Sequence, residues 1–294
     1  MHKWRWNALK LDLVIEPRAP LLIKSGTVSP NPSLPDMQFV RTATSQGEIV
    51  FIPGSSLKGV FRSFTEKVLR TVNREWACEP FPLSENYCGR RFKDEDGSAS
   101  IYKRSCHACK IFGNTRLRGR LSLIDAFPTG EVKTETRYGV AISRLSNAVA
   151  QGPFDIEVLV QGAFRTSVVL ENFEVLQLGL TALTLRALND GLVKLGFGKN
   201  RGFGEVEVRV AQAVVEVVKR EGLSRDALWG TGAFVADEDE RLAYGLSPED
   251  KLEGLPEGKE IDLGIFVRRV YTPEAWQKVA ETAIKSIEGF LKTS

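Results

Sequence analysis

Apolar and polar residues alternate near the start of the chain, where Leu9, Leu11, Leu13 and Ile15 occupy every second position. Successive side chains of a β-strand point to opposite faces of a sheet, so these four residues share one face and predict a half-buried strand. The same criterion predicts further strands over residues 47–52, 118–125 and 205–210, a strand pair over 154–170 and a last strand over 261–270.

Helices are predicted where apolar residues recur at steps of three and four. The first begins at the Pro-Gly-Ser-Ser sequence of residues 53–56, which supplies an N-terminal cap, and continues to Val72. A Leu-rich helix covers residues 174–195, and a third helix covers 273–291. Strand, helix, strand, repeated once, is the order of a ferredoxin-like or RRM-like α+β sheet.

The other segments are interpreted as additions to this sheet. Residues 75–112 lose all periodicity and contain prolines, a charged run and cysteines, so we expect an insertion with little core of its own. Residues 131–153 predict a long hairpin or loop. After residue 215 the composition shifts to acidic loops with Gly and Pro. The predicted RRM-like core therefore spans residues 1–215, and residues 216–294 form a C-terminal extension packed on it.

Composition limits the class of protein more than its function. The chain has 294 residues, of which 43% are hydrophobic and 26% charged, as in ordinary globular proteins. No apolar run reaches the length of a membrane span, and residues 1–6 lack the apolar core of a signal peptide. We therefore expect a cytoplasmic protein without a membrane partner. The net charge is only +3, so local clusters of basic residues carry more information than the total.

All four cysteines lie within one 32-residue window, at Cys78, Cys88, Cys106 and Cys109. Disulfides are disfavoured in a chain without secretion signals, and a Cys-x-x-Cys turn with two further thiolates is typical of a closed structural zinc site. The nine-residue gap between the first two cysteines is long for a zinc knuckle, so His107 can replace one sulfur. Free thiols are the alternative.

Two loops whose residues are suited to phosphate binding lie far apart in the sequence. Residues 196–204 combine four glycines with Lys199 and Arg201, and glycines such as Gly198 and Gly202 let a backbone approach a polyanion closely. A tight turn that needs glycine only for steric reasons is the alternative. Residues 52–63 open a helix with hydroxyls, amides and cations, where the helix dipole favours an anion. We expect the two loops to meet in space.

Four motifs occur in one order: residues 52–63, 109–114, 118–126 and 196–204. In this combination the chain resembles the RAMP superfamily of CRISPR-associated proteins, and more narrowly the guide-RNA-binding backbone subunit of type III effector complexes. The resemblance covers roughly residues 8–212. It implies an RRM-derived palm, head-to-tail polymerisation along a guide RNA, and a thumb hairpin that flips one nucleotide at a regular spacing.

The resemblance assigns RNA contacts by position. Guide phosphates would be held at the start of the first helix, by the glycine-rich loop, by the alternating arginines after the cysteines, and by a thumb within about residues 131–158. The RNA-binding residues so predicted are Ser55, Ser56, Lys58, Arg62, Arg116, Arg118, Arg137, Arg144, Gly198, Lys199, Arg201 and Gly202. An ordinary helix N-cap with two solvated cations is the alternative for the first group.

A catalytic role is implied for Asp36. Related subunits cleave target RNA through an acidic residue in the loop before the Pro-Gly-Ser-Ser helix, and Asp36 is the only carboxylate between Glu16 and Glu48. It would position Mg²⁺ or Mn²⁺ and a ribose 2′-hydroxyl for in-line attack. A turn former after Pro35 is the structural alternative.

The implied partners are guide RNA, target RNA, neighbouring copies or paralogues, and a large polymerase-like subunit. A passive guide-binding scaffold that cuts nothing is one alternative function. A guide-processing endoribonuclease is another, which His2 at the terminus and His107 between cysteines make a poor fit. A zinc-stabilised RNA-binding module unrelated to CRISPR is the third.

Overall fold

The computed structural model describes residues 3–26, 34–45, 47–79 and 87–292. Its strands are β1 (Asn7–Pro17), β2 (Arg41–Thr44), β3 (Gly47–Val50), β4 (Gly113–Asn114), β5 (Leu117–Arg118), β6 (Leu121–Leu123), β7 (Phe127–Pro128), β8 (Lys133–Ile142), β9 (Val149–Gln161), β10 (Phe164–Glu171), β11 (Val206–Val218), β12 (Leu228–Trp229), β13 (Lys251–Leu252), β14 (Lys259–Asp262) and β15 (Phe266–Tyr271). Its α-helices are α1 (Gly54–Val72), α2 (Cys88–Arg91), α3 (Ser98–Arg104), α4 (His107–Phe112), α5 (Val175–Asn189), α6 (Thr231–Phe234), α7 (Glu238–Tyr244) and α8 (Pro273–Lys292).

A mixed α+β architecture is confirmed, and its centre is an antiparallel sheet. Seven strands of the described chain form this sheet in the order β14-β15-β11-β1-β10-β6, with β7 also paired to β10. The four apolar residues predicted to share one face of β1 are all buried, whereas Lys10 on the opposite face is exposed. The alternation read from the sequence therefore places the core on one side of β1.

Helices cover that buried face. The Leu-rich α5 is buried along most of its length, because it packs against α1, α8 and β11. Gly179 of α5 permits the closest approach: a Cβ there would lie 2.4 Å from the carbonyl oxygen of Ala283 in α8. The C-terminal helix thus packs directly on the helical layer of the core.

One tight crossing explains why the predicted strand over residues 118–125 is broken. It forms β5 and β6 instead, because the chain at Gly119 passes against the end of α4: a Cβ on Gly119 would lie 2.6 Å from the carbonyl carbon of Phe112. The amide of Arg120 then donates to the carbonyl of Ile111 at 2.8 Å. This backbone hydrogen bond belongs to the crossing, so the strand cannot run uninterrupted.

A long antiparallel hairpin, β8–β9, projects from the sheet. Residues 131–153, which predict a long hairpin or loop, form most of this hairpin, and its turn is at residues 143–148. Its base is tied to the first loop of the chain, since Leu21 and Leu159 exchange backbone hydrogen bonds of 2.9 and 2.7 Å. The predicted run over 261–270 is likewise a hairpin, β14–β15, with Gly264 at φ +80° in its turn.

No helix among the described residues is both long enough and apolar enough to cross a membrane.

Candidate nucleic-acid interface and metal centre

A cleft of about 670 Å³ lies where α1 meets the glycine-rich loop. It brings together two segments about 130 residues apart in the sequence, and three lysines, Lys67, Lys194 and Lys199, line it with Ser63 and Asn200. Of the described residues that line this cleft, none carries a carboxylate. We call it the lysine cleft; its composition suits an anion that accepts several hydrogen bonds.

The charges of Lys67 and Lys199 repel each other in the lysine cleft. Burial lowers the pKa of Lys199, and the nearby charge of Lys67 lowers it further. Two ammonium groups held close without a counter-ion destabilise each other, and a bound phosphate would relieve that repulsion. The lysine cleft is therefore more favourable when occupied by an anion.

Glycines shape the loop that forms one wall of the lysine cleft. Gly196 and Gly204 have φ values of +71° and +85°, and a Cβ on them would lie 2.2 and 2.0 Å from the carbonyl oxygens of Leu22 and Leu195. These two glycines are required by close packing, as the steric alternative proposed. Gly202, at φ +80°, has nothing within 4 Å of its Cβ position. Its backbone is thus open on the side that faces away from the protein.

The same loop also contacts the hairpin. The Arg137 guanidinium of β8 lies 5.9 Å from the ring centroid of Phe203, and that of Arg201 lies 5.1 Å from the ring of Phe197. Arg137 also pairs with Glu135 on its own strand. Cation–π contacts of this kind hold guanidinium groups over aromatic faces while leaving their edges available for hydrogen bonds. Two predicted RNA contacts, the loop and the hairpin base, therefore adjoin.

The start of α1 presents Ser55 at the surface, with Ser56 and Lys58 half-buried beside it. Burial lowers the pKa of Lys58, and the neighbouring Arg62 lowers it further. The first amide of the helix, that of Gly54, already donates to Asp125 at 2.7 Å. Sequence reasoning did not find this cap, because Asp125 lies far along the chain.

Arg62 faces the cysteines. Its guanidinium donates to Glu66 at 2.8 Å, to the carbonyl of Gly113 at 3.2 Å and to the Cys109 sulfur at 3.7 Å. These contacts tie α1 to α4. Among the described residues, the Lys58 side chain has no hydrogen-bond or ion-pair partner, whereas Arg62 is paired.

The alternating arginines after the cysteines separate in the structure. Arg116 pairs with Asp94, and Arg118 lies 3.8 Å from Glu171 while remaining largely exposed. Arg120, the next arginine of this alternation, is buried instead. It contacts Glu174 and lies over the ring of Tyr102, so its charge stabilises the core and is not available at the surface.

The far end of the hairpin is apolar and exposed. Arg144 is exposed in its turn, next to Leu145, whose side chain is completely accessible to solvent. Further large apolar residues exposed along the hairpin are Tyr138, Val140, Ile142 and Val149. Isolated apolar residues are common on protein surfaces, whereas a group of five on one projecting element is typical of an interaction surface.

Asp36 lies at the base of this hairpin. Its side chain is exposed, and its Oδ2 accepts a hydrogen bond from the amide of Asp155 at 3.0 Å. The residues that follow pair with β9: the amide of Met37 donates to Asp155, and the amide of Phe39 donates to the carboxylate of Glu157. Asp36 is thus held beside the hairpin by its backbone neighbours while its carboxylate faces solvent.

The four cysteines converge. Their sulfurs all lie within 4.8 Å of one another, and those of Cys78 and Cys109 are 3.7 Å apart. Two sulfur ligands of a tetrahedral zinc ion lie about 3.8 Å apart, given a Zn–S distance of about 2.3 Å. Cys88, Cys106 and Cys109 are buried. The cluster can therefore hold a metal such as zinc.

Electrostatics also favour a cation at the cluster. Hydrogen bonds from neighbouring thiols lower the pKa of Cys88 and of Cys106 to about 7, while the same crowding raises the pKa of Cys109. Four thiolates this close repel one another unless a cation neutralises them. His107 is not part of the group: its ring packs against Trp76, 4.8 Å between centroids.

Sequence reasoning missed four polar residues of the lysine cleft, which are Ser63, Lys67, Lys194 and Asn200. The spacing from Ser56 to Val60, Ser63 and Lys67 is four, three and four residues. Helical periodicity from the start of α1 could therefore have placed Ser63 and Lys67 on one face. Lys194 precedes the glycine-rich loop by two residues, and only its position opposite α1 reveals its role.

The chain matches the sequence model of a known protein family. The model of the RAMP superfamily matches residues 14–207, from within β1 to the start of β11 and well over half of the chain. The chain belongs to the RAMP superfamily. The predicted superfamily is thereby confirmed, and with it a CRISPR-associated, RNA-binding role. No curated protein matches the chain. The matched RAMP region contains Asp36, the four cysteines, the hairpin and the lysine cleft.

Proposed function

We propose that this RAMP protein is the guide-RNA-binding backbone subunit of a type III CRISPR effector complex. The lysine cleft carries the proposal, because it joins the glycine-rich loop to the middle of α1 and combines three cations with no carboxylate among its described lining residues. Single-stranded RNA presents regularly spaced phosphates, and positively charged grooves that follow a backbone bind it without reading its sequence. Such binding suits a subunit that must accept every guide.

The order of the central strands supports a ferredoxin-like palm. In the two strand-helix-strand units, the first contributes β1, α1 and β6, and the second β10, α5 and β11. The sheet arranges these strands as β11-β1-β10-β6, all antiparallel to their neighbours. The helices α1 and α5 contact each other, and they pack on β6 and β11 respectively. A split strand-helix-strand pair of this order is the ferredoxin-like arrangement.

The hairpin β8–β9 is proposed as the thumb. Its exposed apolar end, with Ile142 and Leu145, offers side chains that can wedge between bases, and Arg144 can follow the backbone beside them. Arg137 at its base continues the positive surface from the glycine-rich loop. Ser55, Ser56, Lys58, Arg116 and Arg118 are proposed to extend this path to neighbouring phosphates.

Binding through phosphates has a measurable signature. Lys67→Ala and Lys199→Ala should each weaken binding of single-stranded RNA and lower the slope of log affinity against log salt by about 0.7, the value for one phosphate contact on a single strand. Lys278→Ala, which removes an exposed lysine of α8, is the matched control. Fluorescence anisotropy over a salt series measures all four proteins. Equal slopes for all of them would exclude the lysine cleft as the RNA site.

Target cleavage is proposed to depend on Asp36 and a divalent metal. Its exposed carboxylate at the hairpin base can contribute one ligand to Mg²⁺ or Mn²⁺, while target and guide supply others. In a reconstituted complex, Asp36→Ala should abolish metal-dependent cutting of complementary RNA and leave its binding within about twofold. Asp12→Ala, on β1, is the control. Unchanged cutting by the Asp36 variant would favour the passive scaffold.

A further inference from the structure

An aromatic stack lies outside the region that the family model matches. The rings of Trp4 and Trp6 are nearly parallel, at 9° and 5.7 Å between centroids, and Trp6 continues onto Phe234 at 4° and 6.3 Å. Trp229 packs against the same phenylalanine at 5.5 Å. We call these four residues the tryptophan platform. All lie before residue 14 or after residue 207, the limits of the match.

The platform runs from the core to the surface. Phe234 is buried and Trp6 is half-buried, whereas Trp4 is 59% exposed. An indole with one face against its neighbour and this much exposure presents its other face to solvent. Tryptophan is costly to leave exposed, so a planar partner that covers this face would gain both apolar burial and stacking.

Backbone contacts hold the platform in place before any partner binds. The side chain of Asn172 donates to the carbonyl of Trp4 and accepts from the amide of Trp6, each at 2.8 Å. The carbonyl of Trp6 accepts from the amide of Val218 at 2.8 Å. Little ordering entropy therefore remains to be lost on binding.

Cations accompany the aromatic rings. The guanidinium of Arg220 lies 5.6 Å from the Trp6 ring, and the Lys251 ammonium lies 5.0 Å from the Trp229 ring. Neither cation forms an ion pair with a described residue. Parallel aromatic rings flanked by unpaired cations are the combination that binds single-stranded nucleic acid, where bases stack and phosphates meet the charges.

We propose that the tryptophan platform is a second RNA contact, on which an unpaired base stacks against Trp4 while Arg220 meets an adjacent phosphate. This inference rests on the RNA-binding function proposed above. It predicts that part of the affinity for RNA comes from a base that stacks and not from phosphate charge. The residues responsible are distant in the sequence from those of the lysine cleft.

The test compares an oligoadenylate with an abasic strand of the same length by anisotropy. Trp4→Ala should weaken oligoadenylate binding about tenfold, the effect of one base–aromatic stack, and leave the abasic strand unaffected. Trp4→Phe should restore part of the loss because it keeps an aromatic face. Leu242→Ala removes an apolar side chain that is also 59% exposed and should change neither affinity.

The outcomes separate the two proposals. A double variant, Lys67→Ala with Lys199→Ala, should weaken both strands alike. If it does so while Trp4→Ala has no effect, or an equal effect on both strands, the stacking site is excluded and the guide-binding function stands. If wild type binds neither strand, both proposals fail. Loss of self-association by Trp4→Ala in light scattering, with RNA affinity intact, would make the platform a protein interface and overturn the stacking proposal.

Discussion

At the scale of single residues, the Pro-Gly-Ser-Ser sequence has a structural role beside its predicted phosphate contact. Gly54 lies where α1 begins against the end of β6, and a Cβ there would be 2.5 Å from the carbonyl oxygen of Leu123 and 2.9 Å from the carbonyl carbon of Ile124. Its amide is capped by Asp125. Glycine at this position lets helix and strand touch, and the next residue, Ser55, lies at the surface beyond the contact.

Gly54→Ala should destabilise the protein by about 1–3 kcal/mol, because its Cβ meets backbone atoms that cannot move aside. Gly59→Ala in the same helix is the control: nothing lies within 4 Å of its Cβ position. That change should stabilise by about 0.5–1 kcal/mol, because alanine has the higher helix propensity. Urea unfolding measures both variants. Equal effects would show that the contact with β6 is not close.

At the scale of elements, the cysteine segment has little regular structure to stabilise it. Its three short helices, α2, α3 and α4, are joined by irregular chain, and the four sulfurs meet at its centre. Contacts to the core exist, such as that of Arg62 with Cys109. Side chains such as Phe92, Ile101 and Phe112 also pack in the core, and an ion held by the four sulfurs would stabilise the segment further.

We therefore expect the purified protein to contain about one zinc ion per chain, as a closed four-thiolate site requires. Cys106→Ser should lower the zinc content well below that and make residues 87–112 sensitive to protease. His107→Ala tests the alternative ligand, and should retain zinc because its ring packs on Trp76. Elemental analysis with limited proteolysis measures both. Zinc loss on His107→Ala would instead place histidine among the ligands.

At the scale of the whole molecule, the C-terminal segment completes the core. Strand β15 extends the sheet beside β11, and Asp250 accepts hydrogen bonds from the amide of Val175 at the start of α5 and from that of Gly232. The residue is buried, and burial together with Glu174 raises its pKa to about 7. A side chain from the C-terminal segment thus caps α5, the buried helix of the core.

Asp250→Ala should destabilise the protein by about 2–3 kcal/mol at pH 5, because it leaves two buried amides without acceptors. The folded-state pKa of Asp250 lies above its ordinary value of 3.8, so its contribution is full below about pH 4 and declines as pH rises through 7. The difference between wild type and variant should therefore be smaller at pH 8 than at pH 5. Unfolding titrations at the two pH values measure this.

The control is Asp237→Ala, which removes the exposed cap of α7 that accepts from Glu240 at 2.7 Å. It should cost about 1 kcal/mol, the usual effect of an N-cap. A larger loss from Asp237 than from Asp250 would contradict the view that the extension stabilises the core through α5.

The sequence alone determined the superfamily and several of the elements. Alternation in β1 and helical spacing in α1 are local, since each follows from the period of one element, and four ordered motifs identified the RAMP superfamily. Only the tertiary structure decided which charges are available. Arg120 and Arg62 look like their neighbours in the sequence, yet one is buried against Glu174 and the other faces the cysteines. Lys67 and Lys194 join the lysine cleft because distant segments pack together. Burial and pairing depend on long-range contacts, which no local pattern records.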